Sequence, residues 1–338
     1  MLWWVGKAMT QNPPWASKIY AQVCDEIHEK VESLGLPMPM EDSPTSRGAC
    51  VLDPELGAGH YGVVYRTIRN DTVFKITTDE TEAHFVSLLP RLREMGVDPK
   101  GIVKYFGIFG VESTHRGRPV YVLWREAAEH VGKVADVFCK SGDLEHMPWQ
   151  KEWKADDPYL CNQYKIFERL LHAWQKFCGL AREIYLSTQK KAYSMEASED
   201  FWIWIDEQMQ SIEREQVWKL GDDIWEKYKE ERRSGYDDLS KVKVRLARHP
   251  FKFAILVHIA ERIAEEMTNE NVAYQVGRTF GEYLEAGILM ADVHLGNLGF
   301  VAARPDDNDF APGMPVITDP GHVLVLKREL AQSYIEKL

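Results

Sequence analysis

The sequence predicts an α+β chain with two lobes, a strand-rich one over residues 51–126 and a mostly helical one over 127–338. Three observations predict it. Short β-forming runs separated by glycine and asparagine turns fill the first stretch. Apolar residues at three- and four-residue spacing dominate the second. Near its end the stretch 287–299, with a polar loop at 290–299, is followed after a short apolar run and a further polar loop by Val316-Ile317-Thr318-Asp319-Pro320-Gly321.

With 338 residues, 45% of them apolar, the chain can bury a sizeable core. Its net charge of −11 argues against general binding to nucleic acid or to an anionic membrane, which needs a basic patch. A local phosphate cradle remains compatible with that charge. Cys24, Cys50, Cys139, Cys161 and Cys178 are scattered, and none forms a C-x-x-C pair. Free thiols in a reducing cytoplasm are therefore expected, rather than disulfides or a zinc site. The apolar opening Met1-Leu2-Trp3-Trp4-Val5 is broken by Gly6 and Lys7, too early for a signal peptide, and no later run approaches a membrane span. A soluble cytoplasmic protein is expected.

Residues 1–50 read as an accessory segment. Ile19, Val23, Ile27 and Val31 give Ala16 to Leu34 helical spacing, and Pro37 to Ser46 reads as a linker. A helix packed on the first lobe is expected over a partner-binding arm. Next, Gly57, Gly59, Gly62 and Val64 form G-x-G-x-x-G-x-V. Such a motif between a strand and a helix marks a dinucleotide turn. Here β-formers follow it, then an Asn70-Asp71 turn, then Thr72-Val73-Phe74-Lys75-Ile76. A glycine hairpin between strands lets backbone amides approach phosphates without a side chain in the way.

Lys75 lies inside that apolar strand, where a phosphate-pairing lysine belongs. It needs a carboxylate from the next helix, expected to begin near Asp79. Glu82 is preferred to Glu80 because it shares a face with Phe85, Leu89 and Leu92. Residues 102–109 and 119–124 read as two further strands around a Thr114-to-Arg118 turn, completing a five-stranded sheet with one helix. Arg125 to Ala128, including Glu126, is then a hinge whose backbone can bond an adenine.

The middle of the chain reads as helices. Phe167, Leu170, Leu171, Trp174, Phe177, Ala181, Ile184 and Tyr185 keep one face. Phe201 to Arg233 is tryptophan-rich and charged. Lys241 to Met267 carries Phe253, Leu256, Val257, Ala260, Ile263 and Ala264, and Val276, Phe280 and Leu284 lead into the Asp292 loop. The tryptophans are expected in the core, and 302–315 reads as an exposed hairpin loop.

Phosphoryl transfer asks little covalent chemistry of a protein. It needs a carboxylate to orient the attacking hydroxyl and oxygen ligands to hold magnesium on the phosphates. Asp292 suits the first task; Asn297, five residues on, and Asp319 suit the second.

The order Gly57/Gly59/Gly62, Lys75, Glu82, Asp292/Asn297, Asp319/Gly321 resembles the protein-kinase-like superfamily. Asp-Val-His-Leu-Gly-Asn looks like its atypical branches, the aminoglycoside and choline phosphotransferases and the kinases of T7-like bacteriophages. Together with Leu-Gly-Ala-Gly-His-Tyr and Ile-Thr-Asp-Pro it is most similar to the phage serine/threonine kinases. The resemblance covers roughly 52–126 and 284–326. It implies a bilobal fold with an antiparallel first-lobe sheet, and an ATP- and Mg²⁺-dependent kinase acting on proteins, host proteins if phage-encoded. It implies that Gly57, Gly59, Gly62, Val64 and Glu126 hold the nucleotide, that Lys75 pairs with its phosphates and that Glu82 holds Lys75. Asp292 would orient the acceptor, Asn297 and Asp319 would bind magnesium, and His294 would either donate near the γ-phosphate or serve the loop's structure.

Several positions depart from the family pattern. Met290-Ala291 replaces the usual His-Arg, Pro320 replaces the usual Phe, and 17 residues follow Gly321. Control by activation-loop phosphorylation is therefore not expected. Two alternatives stay open: a small-molecule phosphotransferase, favoured by an acidic cleft because its substrates are often cationic, and a non-catalytic binding protein, which the intact Lys75, Asp292, Asn297 and Asp319 argue against.

Overall fold

A computed structural model of the chain describes residues 29–33, 35, 57–58, 62–67, 71–115, 117–130, 158–188, 214–235, 239–249, 251–269, 273–301, 304 and 315–326. The protein is α+β, with a five-stranded antiparallel sheet and a mostly helical remainder. It divides into two units, residues 1–87 with 103–128, and residues 88–102 with 129–338. Of the accessory segment, residues 29–33 are helical and Val31 is buried; the rest of the expected helix and the linker lie outside the described residues.

In the first unit the strands are β1 (Gly57–Ala58), β2 (Gly62–Arg66), β3 (Thr72–Thr77), β4 (Tyr105–His115) and β5 (Arg118–Glu126). Their order is β1-β2-β3-β5-β4, every pair antiparallel. β3 is therefore central, and all its residues are buried. Phe74 and Ile76 occupy one of its faces, Val73 and Lys75 the other, as the two-residue period of a strand requires. The β4–β5 hairpin is longer than the spacing suggested. Its turn closes at Gly117, at φ +74°, so both strands run on beside each other. Helix α1 (Glu80–Glu94) follows β3.

β4 was expected to open at residue 102, but it begins at Tyr105, and Ile102 belongs to the second unit. Ile102 bridges Ile317 in parallel, and the Ile317 N–H donates to the Gly101 carbonyl at 2.9 Å. Arg304 fixes the same segment by donating to the carbonyls of Lys100 and Ile102, both at 2.7 Å. It is the one described residue between 301 and 315 and is buried, whereas that loop was expected to be exposed.

Among the described residues the second unit holds five helices, α2 (Pro158–Thr188), α3 (Arg214–Arg233), α4 (Leu239–Ala247), α5 (Lys252–Thr268) and α6 (Tyr274–Glu285). α5 packs against α2, α3 and α6. That explains its wide apolar face of Ile255, Leu256, Ile259, Ala260, Ile263, Ala264 and Met267. Phe167, Leu171, Trp174 and Phe177 of α2 are buried; Trp174 stacks on Phe280 at 4.0 Å, and Phe177 meets Tyr228 edge-on at 5.2 Å. Each such side chain stabilises the fold by about 1.5–3 kcal/mol through burial. Trp174 and Trp225 are core, whereas Trp218 is 45% exposed. The expected run from Lys241 to Met267 is two helices, because Pro250 disfavours helical backbone at His249 and breaks it there.

Candidate active site

Lys75 and Glu82 meet. The ammonium lies 2.7 Å from Glu82 Oε2, with the side chains 7% and 0% exposed. Glu82 Oε1 also accepts from the Tyr105 hydroxyl at 3.2 Å. The helix start explains the choice of carboxylate. Asp79 Oδ1 caps α1 by accepting from the Thr81 N–H at 2.9 Å, which rotates Glu82 inward with Ala83, Phe85 and Val86 and leaves Glu80 half-buried. A buried pair of this kind is costly to desolvate and depends on its geometry; two elements and a tyrosine fix it here.

Around Lys75 the sheet register is informative. Val64 stands opposite Lys75 on β2, and Gly57 opposite Val64 on β1. A Cβ at Gly62 would stand 2.8 Å from the Ile76 carbonyl and 3.2 Å from Lys75 Cε, so glycine there keeps the lysine's space clear. Gly59 lies outside the described residues. At the end of β5, Glu126 turns back on the sheet. Its N–H donates to the Lys104 carbonyl at 2.8 Å, and its Oε2 accepts from the Lys104 N–H at 3.1 Å. The Ala127 N–H donates to Asp71 O at 2.9 Å. Those groups of the expected hinge are thus already engaged. Arg125, which the sequence did not single out, stands opposite Val73 on Lys75's face of the sheet. It is buried, and its Nε and Nη1 have no hydrogen-bond partner among the described residues.

In the second unit a two-residue strand, β6 (Glu129–His130), runs antiparallel to residues 299–300, and four more short strands frame two loops. β7 (Ile288–Met290) pairs with β10 (Val323–Val325), and β8 (Leu298–Phe300) with β9 (Pro315–Ile317), both antiparallel. The loop 291–297 runs from β7 to β8 and the loop 318–322 from β9 to β10. Since their ends are paired strand to strand, the loops lie side by side. The Thr318 N–H donates to the Asn297 carbonyl at 2.8 Å and joins them directly. Asp292, Asn297 and Asp319 are thereby brought together.

Each loop residue has a definable task. Asn297 Nδ2 donates to the Asp292 carbonyl at 2.6 Å, which sets the loop's curvature and leaves the amide oxygen outside that bond. Trp174 Nε1 donates to the Met290 carbonyl at 2.8 Å and fastens the loop's start to α2. His294 Nδ1 accepts from the Gly296 N–H at 3.0 Å, so Nε2 carries the proton of the neutral ring. A Cβ at Gly296 would sit 2.7 Å from His294 Cε1. His294 thus has a structural task in its own turn. His322 adopts φ 53°, the sole non-glycine residue with positive φ among those described, and its Nδ1 lies 3.9 Å from Asp292 Oδ2. Backbone strain of this kind concentrates at functional sites. Nothing in the sequence marked His322; its proximity arises from the β7–β10 pairing.

Two carboxylates and an amide are hard oxygen donors, the set that magnesium takes from protein when phosphate oxygens complete its shell. Among the described residues no group of three His, Cys, Asp or Glu gathers. Beside the 294–296 turn lies a cavity of about 530 Å³, walled by α2 and Arg232. Cys178 is free and buried, and burial pushes its thiol pKa well up, away from reactivity. No described helix is long and apolar enough to cross a membrane. The sequence matches no model of a known protein family and no curated protein.

Proposed function

We propose that the protein is an ATP- and Mg²⁺-dependent phosphotransferase of the protein-kinase-like superfamily, acting on serine or threonine hydroxyls of proteins. One observation carries the reading: the paired strands that set the loops of Asp292 and Asn297 against the loop of Asp319. The buried Lys75–Glu82 pair supports it from the first unit.

In this reading Asp292 accepts the proton of the acceptor hydroxyl as its oxygen attacks the γ-phosphorus. The new O–P bond forms while the bond to the β-phosphate oxygen breaks, and ADP departs with that electron pair. Asn297 and Asp319 hold magnesium, which neutralises phosphate charge when bound. Lys75, held by Glu82, pairs with the phosphates, and the glycine hairpin keeps their approach clear. The motifs most similar to phage kinases extend the reading to an enzyme acting on host proteins.

Incubation with labelled ATP and Mg²⁺, with and without cell lysate, tests it beside Asp292→Ala. Label should enter protein with the wild type and vanish with the variant. Nucleotide binding without transfer to any acceptor would reduce the protein to a binding module.

A further inference from the structure

The cavity beside the 294–296 turn has a charge opposite to that of the chain as a whole. Among the described residues that line it, Lys165, Arg169 and Arg232, with the ionisable His172 and His294, stand against one acid, Glu168, although the chain carries −11. On α2 these residues fall at three- and four-residue spacing, on the face opposite Phe167, Leu170, Trp174 and Phe177, which are buried. From Lys165 to Gln175 that face rises about 15 Å, the length of four to five extended residues. His294 and Gly296, in the same loop as Asp292, line the same cavity.

Two of the cations, Lys165 and Arg169, are available for binding. Neither Lys165 nor Arg169 is ion-paired with a described residue, and both are exposed. Arg232 is fixed in place: its Nη1 donates to the Arg169 carbonyl at 2.6 Å, and its guanidinium lies over the Tyr228 ring at 5.9 Å. Such a held fork loses little freedom on meeting a carboxylate. Six of the ten lining residues are exposed, so the cavity is a surface trough suited to an extended chain rather than a chamber that encloses a small molecule.

We infer that the acceptor is a polypeptide whose serine or threonine is flanked by aspartate or glutamate, with those carboxylates seated along α2. This rests on the kinase reading and narrows it. Among the described lining residues, a cationic small acceptor would meet the cations Lys165, Arg169 and Arg232 and one carboxylate, and is disfavoured electrostatically.

The test compares three peptides that differ only in the residues flanking one serine, which are acidic, neutral or basic. Each is assayed with Mg²⁺ and ATP, using wild type, Lys165→Glu/Arg169→Glu and Glu168→Lys. The acidic peptide should have the highest kcat/KM, by about tenfold or more over the basic one. The double reversal should abolish or invert that order, and Glu168→Lys should sharpen it. All three positions are exposed, and circular dichroism with thermal unfolding verifies that each variant folds. Should the double variant not fold, Arg169→Gln alone, which should weaken the preference, serves in its place. Transfer that ignores flanking charge, or a preference that these variants leave unmoved, overturns this inference while the kinase reading stands. Transfer to small molecules alone also overturns it. No transfer and no ATP turnover at all overturns both.

Discussion

Lys75 and Glu82 lie 2.7 Å apart, and both are almost wholly shielded from water. Removing one partner strands a charge in the interior. Lys75→Met is therefore expected to destabilise the fold by about 3–5 kcal/mol, read from urea unfolding. Lys75→Met with Glu82→Gln should recover much of that loss, since the amide still offers Tyr105 an acceptor, yet phosphoryl transfer should stay absent. Asp292→Asn acts on the other step. It keeps the loop's shape but cannot take a proton, so kcat should fall about 10²–10⁴-fold while nucleotide affinity changes little, measured by single-turnover kinetics and nucleotide titration. At this scale much was legible. Glu82 could be separated from Glu80 because a helix with Phe85 and Leu92 facing inward must also turn residue 82 inward. Arg125, His322 and the loop-fastening role of Trp174 were not legible. Trp174 reaches a carbonyl 116 residues away, and no local pattern encodes such a partner.

Among the elements, α3 and α5 share a charged seam with a titratable member. His258 of α5 is hydrogen-bonded to Asp222 of α3 at 3.1 Å and to Glu261 at 3.3 Å, and Arg262 donates to the same Asp222 oxygen at 2.8 Å. The ring lies so near α3 that a Cβ at Gly221 would come within 2.5 Å of His258 Cδ2, which explains a glycine in mid-helix. Burial opposes the charged ring, but its bonds to Glu261 and Asp222 outweigh burial and raise the His258 pKa above 6.5. Burial likewise opposes the Asp222 charge, and the bonds from Arg262 and His258 outweigh it, lowering that pKa below 3.8. The signs follow by linkage. A raised histidine contributes fully below its unfolded value and loses its contribution as pH climbs through the folded value. A lowered aspartate contributes above its unfolded value and loses its contribution as pH drops through the folded one. The seam should thus stabilise most between about pH 4 and 6.5, and unfolding free energy should decline above that window. In His258→Asn the decline should be smaller, as urea titrations at pH 6 and 8 would show. The seam was invisible in the sequence, because no local spacing pairs residue 222 with residue 258, 36 positions on. The helices themselves were legible, save for the break at Pro250 and the lengths of β4 and β5, which a single turn residue decides.

For the whole molecule, the α+β division into a sheet-bearing unit and a helical unit was legible from the change of apolar period. The allocation of residues 88–102 was not, since helical spacing says nothing of which unit receives the segment; backbone pairing with Ile317 decides it. Lys75 comes from one unit and Asp292 from the other. If both serve one transfer, their losses should not add. The Lys75→Met/Asp292→Asn double variant should be little slower than the worse single variant, compared by kcat/KM at equal folded fraction. Losses that multiply would mean separate tasks.

The four short strands around the two acidic loops are buried and apolar, and they hold one another through backbone hydrogen bonds. Amide pairing does not depend on which aliphatic side chain rides on it. Over long divergence, the aliphatic residues at 288–290, 298, 316–317 and 323–325 can exchange Ile, Leu, Val and Met while the separation of the carboxylates stays constant. In remote descendants, the chemistry of such a centre would therefore outlast the lettering around it.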